Sequence, residues 1–442
     1  MNETQQIAHL LRRAGFGAAP EELEQARRDG FAATLERLLA FESVPDPVES
    51  DIADVEDGLL DMRNMEDVRA AWLYRMARTT RPLQERLTLF WHNHFATGAN
   101  KVENAAFMNR QIALFRRFAA GNFRSLLLEV SRDPAMLIWL DGRFNRKGRP
   151  NENYGREVME LFTLGIGNYT ERDVKEVARA FTGWTLKEGT FAFEPGQHDG
   201  GEKTILGKKG NFGGEDVVDI LAAHPATAKR LSEKLCREFV GPQPAAGLVE
   251  AMTKEYFRSG YDIRSVLRVM FTSPAFLSDA ALWARIKSPA EFVVSALRAM
   301  PHIVPVRTLP AALRRMGQDL LAPPTVKGWD GGTAWLSTST VINRLNFAKD
   351  IGPGINNQPS VALQPGRLVA EHGLDTPEKL VEHMLARFGP LEVTPSVKAK
   401  LVEYVLAPEA PKGPVYPAPQ TLDTKVRGVA HLVLSLPEFQ LC

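Results

Sequence analysis

Apolar residues recur every three or four positions along most of the chain, the spacing that predicts amphipathic α helices. The stretch EELEQARRDGFAATLERLLAF shows it, with Pro20 just before as a helix-start residue and apolar side chains on one face at Leu23, Ala26, Phe31 and Leu35. The same spacing predicts helices at residues 68–78, 82–94, 105–119 and 123–130. It returns at Val217 and continues through HPATAKRLSEKLCREFV, AGLVEAMTKEYFRSG and IRSVLRVMFTS.

The pattern changes between Gly183 and Gly214. There GTFAFEPGQHDGGEKTILGKKG holds two short alternating runs, at 190–193 and 203–206, separated by a loop rich in Pro and Gly. Alternation of this kind predicts short β strands. The sequence therefore predicts a mainly α protein, an irregular multi-helix globule with a small β-hairpin, or a pair of short strands, inserted around residues 189–207.

Two loop-like breaks interrupt the second half of the chain, APPTVKGWDGGTAWLS and the Pro-rich APEAPKGPVYPAPQT. We expect a main helical domain over residues 1–350. We expect a C-terminal helical segment over 351–442, with a Pro-rich loop at 407–421, to pack on the same domain. A chain of 442 residues is long enough to bury a sizeable core.

Charge and cysteine content exclude several classes of partner and site. The 54 Lys and Arg against 53 Asp and Glu leave a net charge of +1, so no nucleic-acid partner is expected. Two cysteines are too few for a disulfide framework or a cysteine metal site. No apolar stretch reaches membrane-spanning length, and no signal peptide follows the pair Arg12-Arg13. We expect a soluble protein without a membrane span, cytoplasmic as given, and periplasmic or secreted if the chain is a mature form.

The strongest local signal for chemistry is GRPNENYGREVMELFTLGIGNYTERDVKEVARAFTGW. Asn151 or Asn153 is placed to cap a helix that runs to about Leu164. Thr170 begins a second helix, with Asp173 at the spacing of a capping box. The stretch therefore predicts two helices joined by a glycine-containing turn.

Glu157 and Glu160 lie three residues apart, on the same side of the first of these helices as Tyr154. Two carboxylates held together in apolar surroundings repel each other, and a metal ion, a shared proton or an arginine would relieve the repulsion. Arg156, four residues before Glu160, is placed to form an ordinary surface salt bridge with it. Both interpretations stay open.

Two histidines end the helix predicted within RLTLFWHNHFATG. His94 shares the apolar stripe of Leu87 and Trp91 and should point inward, whereas His92 lies roughly 200° round the helix. Both reach one ion only if the helix unwinds near Asn93, so His94 alone is the stronger ligand candidate. The competing interpretation is a core histidine with satisfied hydrogen bonds.

The stretch GQHDGGEKT places His198 and Asp199 in a glycine-flanked loop, where both side chains have the freedom to converge on a ligand. A histidine with a carboxylate suits Zn²⁺, Mn²⁺ or Fe²⁺ and also acid–base chemistry. The alternative is a turn in which Asp199 binds its own backbone.

Several stretches together carry a family resemblance. HLLRRAGFGAAPEEL, ERLTLFWHNHFATG, the two-helix stretch above, HDGGEKTILG, HPATAKRLSEKLCREFV and PPTVKGWDGGTAWLS occur in this order. Over roughly residues 9–347 they closely resemble the bacterial domain-of-unknown-function 1800 family. The resemblance implies a mostly helical fold and no established activity. The family's motif positions fall here on His92, His94, Asn151, Asn153, Tyr154, Arg156, Glu157, Glu160, His198, Asp199 and Lys203.

The resemblance also bears on partners and compartment. Genes of this family often lie beside those of a second family that looks like sulfatases and alkaline phosphatases, which makes such a protein the candidate partner. Many members begin with a secretion or lipoprotein-like leader. This chain departs from them because it opens directly on the first motif.

The first functional hypothesis is a metal-dependent enzyme with hydrolase-type chemistry. Its metal ligands would be His92, His94, Glu157, Glu160 and His198, holding Zn, Mn or Fe as a divalent ion that activates water. Its catalytic residues would be Arg156, Lys203 and Asp199. The two cations would hold an anionic group of an unknown substrate, and Asp199 would orient a ligand.

Two alternatives accompany that hypothesis. The same residues suit a non-catalytic binding or assembly protein, in which they form a buried polar network that fixes the helices. They also suit a non-haem iron or manganese oxidoreductase. Nitrogen and oxygen atoms converging on one point would favour a metal, whereas direct side-chain pairing would favour the network.

Overall fold

Helices make up most of the chain. The computed structural model describes residues 1–52, 60–300, 306–351, 365–407 and 422–442. The first α helices are α1 Glu3–Ala14, α2 Pro20–Leu39, α3 Met65–Arg78, α4 Pro82–His94, α5 Ala99–Val102, α6 Ala105–Arg117, α7 Phe123–Arg132, α8 Pro134–Trp139, α9 Glu152–Glu160, α10 Glu171–Ala180 and α11 Gly214–Ala222. They continue as α12 Pro225–Phe239, α13 Ala246–Arg258, α14 Ile263–Phe271, α15 Pro289–Arg298, α16 Leu309–Arg315, α17 Thr338–Ile351, α18 Pro365–His372, α19 Pro377–Arg387, α20 Pro395–Leu406, α21 Leu422–Ser435 and α22 Pro437–Gln440.

Short polar side chains set many of the helix starts. Asn151 caps α9 by accepting a hydrogen bond from the backbone of Asn153 at 3.0 Å. At α10 the predicted capping box is confirmed, since Thr170 and Asp173 each accept a hydrogen bond from the other's backbone. The predicted helices at 68–78, 82–94, 105–119 and 123–130 are present as α3, α4, α6 and α7.

The β insertion is confirmed, and it consists of two hairpins within the described part of the chain. Strand β1 (Trp184–Lys187) pairs antiparallel with β2 (Thr190–Phe193), and β3 (Lys203–Ile205) pairs antiparallel with β4 (Lys208–Gly210). The two runs seen in the sequence therefore pair with close neighbours rather than with each other. Each hairpin turn contains a glycine with positive φ, at Gly189 and Gly207, which allows strands this short to close locally.

Helix α4 lies at the centre of the molecule. Every one of its side chains from Pro82 to His94 except Asn93 is buried. A helix apolar or enclosed on all sides is a core helix, and any polar side chain on it must find its partners within the protein. This burial decides what the two histidines do.

The C-terminal helices share a hydrophobic cluster with the rest of the chain. Val429 and Phe439 belong to the same buried cluster as Phe16 and Trp72. The predicted domain boundary at residue 350 stays a prediction, and the predicted Pro-rich loop lies, from residue 408 to 421, outside the described residues. Of the helices that the structure describes, none combines the length and apolarity needed to cross a membrane.

A backbone clasp joins two segments that are distant in sequence. Arg285 and Cys442 exchange backbone hydrogen bonds of 3.2 and 2.8 Å, and the Lys287 amide donates to the Gln440 carbonyl at 2.9 Å. The Cys442 side chain is 1% exposed, and its thiol contacts Arg285. The clasp therefore anchors the end of α22 beside the start of α15.

Candidate functional site

The two histidines of α4 have different partners. The Nε2 atom of His92 accepts a hydrogen bond from the Leu321 backbone at 3.1 Å, and its ring packs against Trp72 and Trp329. Burial, with Arg69 nearby, lowers the pKa of His92 to about 3. Since α4 stays helical through both positions, the unwinding needed for both to reach one ion is absent.

His94 forms hydrogen bonds through both ring nitrogens. Its Nε2 atom lies 3.0 Å from the Phe162 carbonyl oxygen, and its Nδ1 atom lies 2.9 Å from Nζ of Lys234. A carbonyl oxygen can only accept, so Nε2 carries the proton and Nδ1 accepts from Lys234. Burial and the Lys234 charge keep the pKa of His94 well below its usual range. His94 is therefore a neutral imidazole with a fixed tautomer.

Lys234 and Arg230 are two cations on α12, and the Glu233 and Glu160 charges attract Arg230 without a direct ion pair. Neither forms an ion pair with a carboxylate of the described residues, and Nε of Arg230 is buried without a hydrogen-bond partner among them. Burial first, and then the positive charges of Arg230, Arg237 and Lys327, lower the pKa of Lys234 to about 7. We refer to His94, Arg230 and Lys234 as the cationic site.

Sequence reasoning does not single out Arg230 or Lys234. They lie four residues apart at the edge of the buried face formed by Leu231 and Leu235, and two cations in that place are typical of a solvated helix margin. Whether such cations are paired depends on the residues of other elements that pack against them, and the spacing within one helix does not reveal those residues. Both residues lie in HPATAKRLSEKLCREFV, and the family resemblance of this stretch was the sequence signal that could have pointed to them.

Helix α9 ends at Glu160, four residues before the predicted end. The chain turns there through wider backbone hydrogen bonds, from Phe162 to the Glu157 carbonyl and from Leu164 to the Met159 carbonyl. The carbonyl of Phe162 is free to bind His94, and that of Leu161 lies 3.5 Å from Arg230. Side chains from α4 and α12 thus take up carbonyls that a longer helix would have used.

Glu157 and Glu160 are brought together on α9, as their spacing predicts. Both are half-buried, and burial, with the neighbouring Glu160 charge, raises the pKa of Glu157. The Glu160 carboxylate accepts a hydrogen bond from the Tyr169 hydroxyl. Burial and this bond raise the pKa of Tyr169 to about 12, so the tyrosine remains a donor.

Arg156 does not pair with Glu160 as the surface interpretation expected. Its guanidinium forms two hydrogen bonds with Glu171 of α10, at 2.7 and 2.8 Å. The Glu171 carboxylate, at the start of α10, also lies at the positive end of that helix. Arg156 therefore joins α9 to α10.

The loop of His198 and Asp199 is held by its own contacts. Asp199 forms two hydrogen bonds with Arg179, which hold the pKa of Asp199 at about 2, and it accepts a third from the Gly201 backbone. Lys203, 1% exposed, donates to the Asp199 and Gly201 carbonyls at 2.5 and 3.0 Å. His198 donates from Nδ1 to the Thr182 carbonyl at 2.9 Å. The predicted turn around Asp199 is present.

A loop after α16 closes against the end of α4. Oδ1 of Asn93 accepts a hydrogen bond from the Trp329 backbone at 2.7 Å, and its amide lies 3.4 Å from the Trp329 carbonyl. Gly328 has φ +90°, and a Cβ atom there would lie 2.2 Å from Oδ1 of Asn93. Glycine is therefore required for the loop to approach α4 this closely.

Four stretches that carry the family resemblance meet at the cationic site. The end of α4 supplies His94 and Asn93, the turn after α9 supplies the Phe162 carbonyl, α12 supplies Lys234, and the loop at Gly328 packs on Asn93. Loops and helix ends that converge on one place are where proteins commonly hold ligands. The cationic site is our candidate functional site.

The five predicted metal ligands do not form one set. In the part of the chain that the structure describes, no three or more His, Cys, Asp or Glu side chains are placed to hold a metal ion together. Glu157 and Glu160 are neighbours, whereas His92, His94 and His198 each bind other groups of the protein. Metal binding stays a proposal.

The fold and site define a mainly helical protein with a buried polar centre between helix ends. A family model described as "Protein of unknown function (DUF1800)" matches residues 9–441, and the chain belongs to this family. The resemblance seen in the sequence is thereby confirmed over nearly the whole chain. No curated protein and no solved structure matches the chain.

Proposed function

We propose that this chain is a binding protein that recognises an oxyanion at the cationic site. One observation carries the proposal: Arg230 and Lys234, at the meeting point of four motif stretches, form no direct ion pair with a carboxylate of the described residues. A buried or half-buried cation without a direct ion-pair partner is costly, and a bound anion would lower that cost.

The donors at the site suit an oxyanion. Arg230 offers a planar fork of N–H groups, and Lys234 offers an ammonium group whose proton is shared with neutral His94. Hydrogen bonds between charged partners are stronger than neutral ones, most of all where water is partly excluded. A sulfate, phosphate or carboxylate group would satisfy both cations.

The remaining polar residues of the motifs support a structural network. Asp199 with Arg179, Arg156 with Glu171, Lys203 with backbone carbonyls and Glu160 with Tyr169 are direct pairs. Direct pairing of this kind is what the binding hypothesis expects. A partner from the sulfatase- or phosphatase-like family remains part of the proposal, because such proteins handle the oxyanions that the site suits.

The proposal predicts that sulfate binding weakens as pH rises. Because the pKa of Lys234 is about 7, its charged fraction falls from about nine tenths at pH 6 to about one tenth at pH 8, and the apparent affinity should fall about tenfold. Sulfate keeps its own charge over this range. Calorimetric titration of the protein with sodium sulfate, at constant ionic strength set with chloride, measures the change.

Matched variants on α12 test the assignment. Lys234→Met should abolish the pH dependence and weaken sulfate binding at pH 6 at least tenfold, because it removes the charge and keeps the length of the side chain. Lys229→Met, at an exposed position of the same helix, should bind as the wild type does. Equal sulfate affinity in Lys234→Met and wild type, or no sulfate binding by the wild type at pH 6, would overturn the proposal.

A metal-dependent hydrolase is the second candidate, and the Glu157–Glu160 pair favours it. Burial and the Glu160 charge raise the pKa of Glu157, and a divalent ion, Zn, Mn or Fe, would stabilise the two neighbouring carboxylates. Such an ion would supply an activated water for hydrolysis, and with iron or manganese it would also suit oxidation. In this reading Arg230 and Lys234 hold an anionic substrate beside the carboxylates.

Elemental analysis separates the two candidates. After incubation with Zn²⁺, Mn²⁺ and Fe²⁺ and removal of free metal, the second candidate predicts about one equivalent of one metal in the wild type and none in Glu160→Gln. Glu152→Gln, on the same helix and paired with Arg156, is the control that should retain the metal. Metal-free wild type would remove this candidate and leave the binding proposal standing.

A further inference from the structure

A cavity of about 470 Å³ lies far along the chain from the residues of the cationic site, between α1 and the C-terminal helices α19 and α20. Its wall is mainly apolar. The residues that line it include Ala8, Arg12, Trp283, Leu385, Ala386 and Leu391. Cavities of this size with an apolar wall and few polar groups are typical of small-molecule sites.

Four charged residues line the cavity, Arg12, Glu382, Glu392 and Lys398. Arg12 is the most deeply buried of the four, with a side chain only 6% exposed. Its Nε atom is buried without a hydrogen-bond partner among the described residues, and the bond from Nη1 to the Gly389 carbonyl is long, at 3.4 Å. No described carboxylate forms an ion pair with it. A buried guanidinium whose single acceptor is distant has N–H groups that are left without a strong hydrogen bond.

Neighbouring residues hold the guanidinium in place, and the Glu392 and Cys442 charges attract it without forming a direct ion pair. The Trp283 ring lies 3.9 Å from the centre of the Arg12 guanidinium, a stacking contact that fixes the plane of its N–H groups. The two acidic residues of the rim are already engaged, since Glu392 accepts from Gln5 at 2.7 Å and Glu382 pairs with Lys398 at 2.5 Å. Neither carboxylate forms a hydrogen bond with Arg12, so its N–H groups remain available to a ligand.

We propose that this cavity binds a small monocarboxylic acid with an apolar body, whose carboxylate pairs with Arg12. A guanidinium fork matches the two oxygens of a carboxylate in one plane. One cation neutralises one negative charge, so a monoanion fits better than a phosphate dianion beside Glu382 and Glu392. The apolar body lies against Leu385, Leu391 and Trp283, where burial of its surface adds affinity.

Octanoate and octanamide are the probes that test the proposal, because they share size and shape and differ in charge. Calorimetric titration of the full chain should show octanoate binding at least ten times tighter than octanamide, and Arg12→Gln should reduce octanoate affinity to that of the amide. Equal affinities of the two probes for the wild type, or no octanoate binding, would overturn the proposal.

A second variant keeps the test meaningful if Arg12→Gln folds poorly. Ala386 is exposed at the cavity wall on α19, so Ala386→Trp fills the cavity without disturbing the core. It should abolish octanoate binding while the melting temperature without ligand stays near that of the wild type. Octanoate binding that survives in a folded Ala386→Trp protein would place the ligand elsewhere and refute the site.

Discussion

Replacing Gly328 by alanine should destabilise the protein by about 3 kcal/mol or more. The new Cβ atom would lie 2.2 Å from Oδ1 and 2.5 Å from the backbone oxygen of Asn93, and φ is +90° at this position. Neither Asn93 atom can move freely, because Oδ1 binds the Trp329 amide and the backbone belongs to buried α4. Chemical denaturation followed by circular dichroism measures the loss.

Gly332 offers a matched control in the same loop. Its φ is +57°, but a Cβ atom there would meet nothing within 4 Å. Gly332→Ala should therefore cost only the backbone strain, about 1 kcal/mol. The close approach of the loop to Asn93 would be disproved if the two alanine variants unfolded at the same denaturant concentration.

Acidification from pH 7 to pH 5 should lower the free energy of unfolding by about 3 kcal/mol or more. Burial first, and then nearby cations, lowers the pKa of His9 to about 2 and of His92 to about 3, and keeps that of His94 well below its usual range. The unfolded chain takes up protons below about pH 6.5 and the folded chain does not, so stability is full above that pH and lost below it. His9 and His92 each contribute about 2 kcal/mol at pH 5, and His94 acts in the same direction. Asp133, whose pKa burial raises to about 6, offsets about 1 kcal/mol.

His9→Leu should remove about 2 kcal/mol of that acid sensitivity and change little at pH 8. The His9 ring is buried and packs on Phe276, so a leucine of similar volume can replace it. His372→Gln, at an exposed position beside His383, is the control: it relieves only the part of the His383 pKa shift that His372 causes and keeps the His9 contribution. A His9→Leu protein as sensitive to acid as the wild type would contradict the assignment.

Local sequence patterns predicted the helical fold well, because helix starts and apolar spacing are local properties. Asn151, Thr170 and Pro82 mark helix starts in the sequence and in the structure alike. The end of α9 was predicted four residues late, and the carbonyls of Leu161 and Phe162 in the turn after it lie against Arg230 and His94 from other helices. The strand pairing was also beyond local reasoning, since two alternating runs do not reveal which segment each run faces.

The candidate site was only partly predictable for the same reason. The inward direction of His94 and the shared face of Glu157 and Glu160 follow from helix geometry, and both are present. The pairing of His94 with Lys234 joins residues 140 positions apart, so no helical spacing could indicate it. Whether a cation lacks a counter-charge depends on every element that faces it, and this information exists only in the folded chain.

The backbone clasp between Arg285 and Cys442 has a consequence for the timing of folding during synthesis. Its two halves are 157 positions apart, so a ribosome adding about 5–20 residues per second exposes the first half roughly 8–30 s before the second. During that interval the backbone groups of Arg285 and Lys287 lack their partners from residues 440–442. The segment before α15 therefore stays unpaired until α22 has been synthesised. The backbone groups of this cationic segment must therefore avoid hydrogen bonds with other parts of the nascent chain. The clasp forms only after residues 440–442 have emerged.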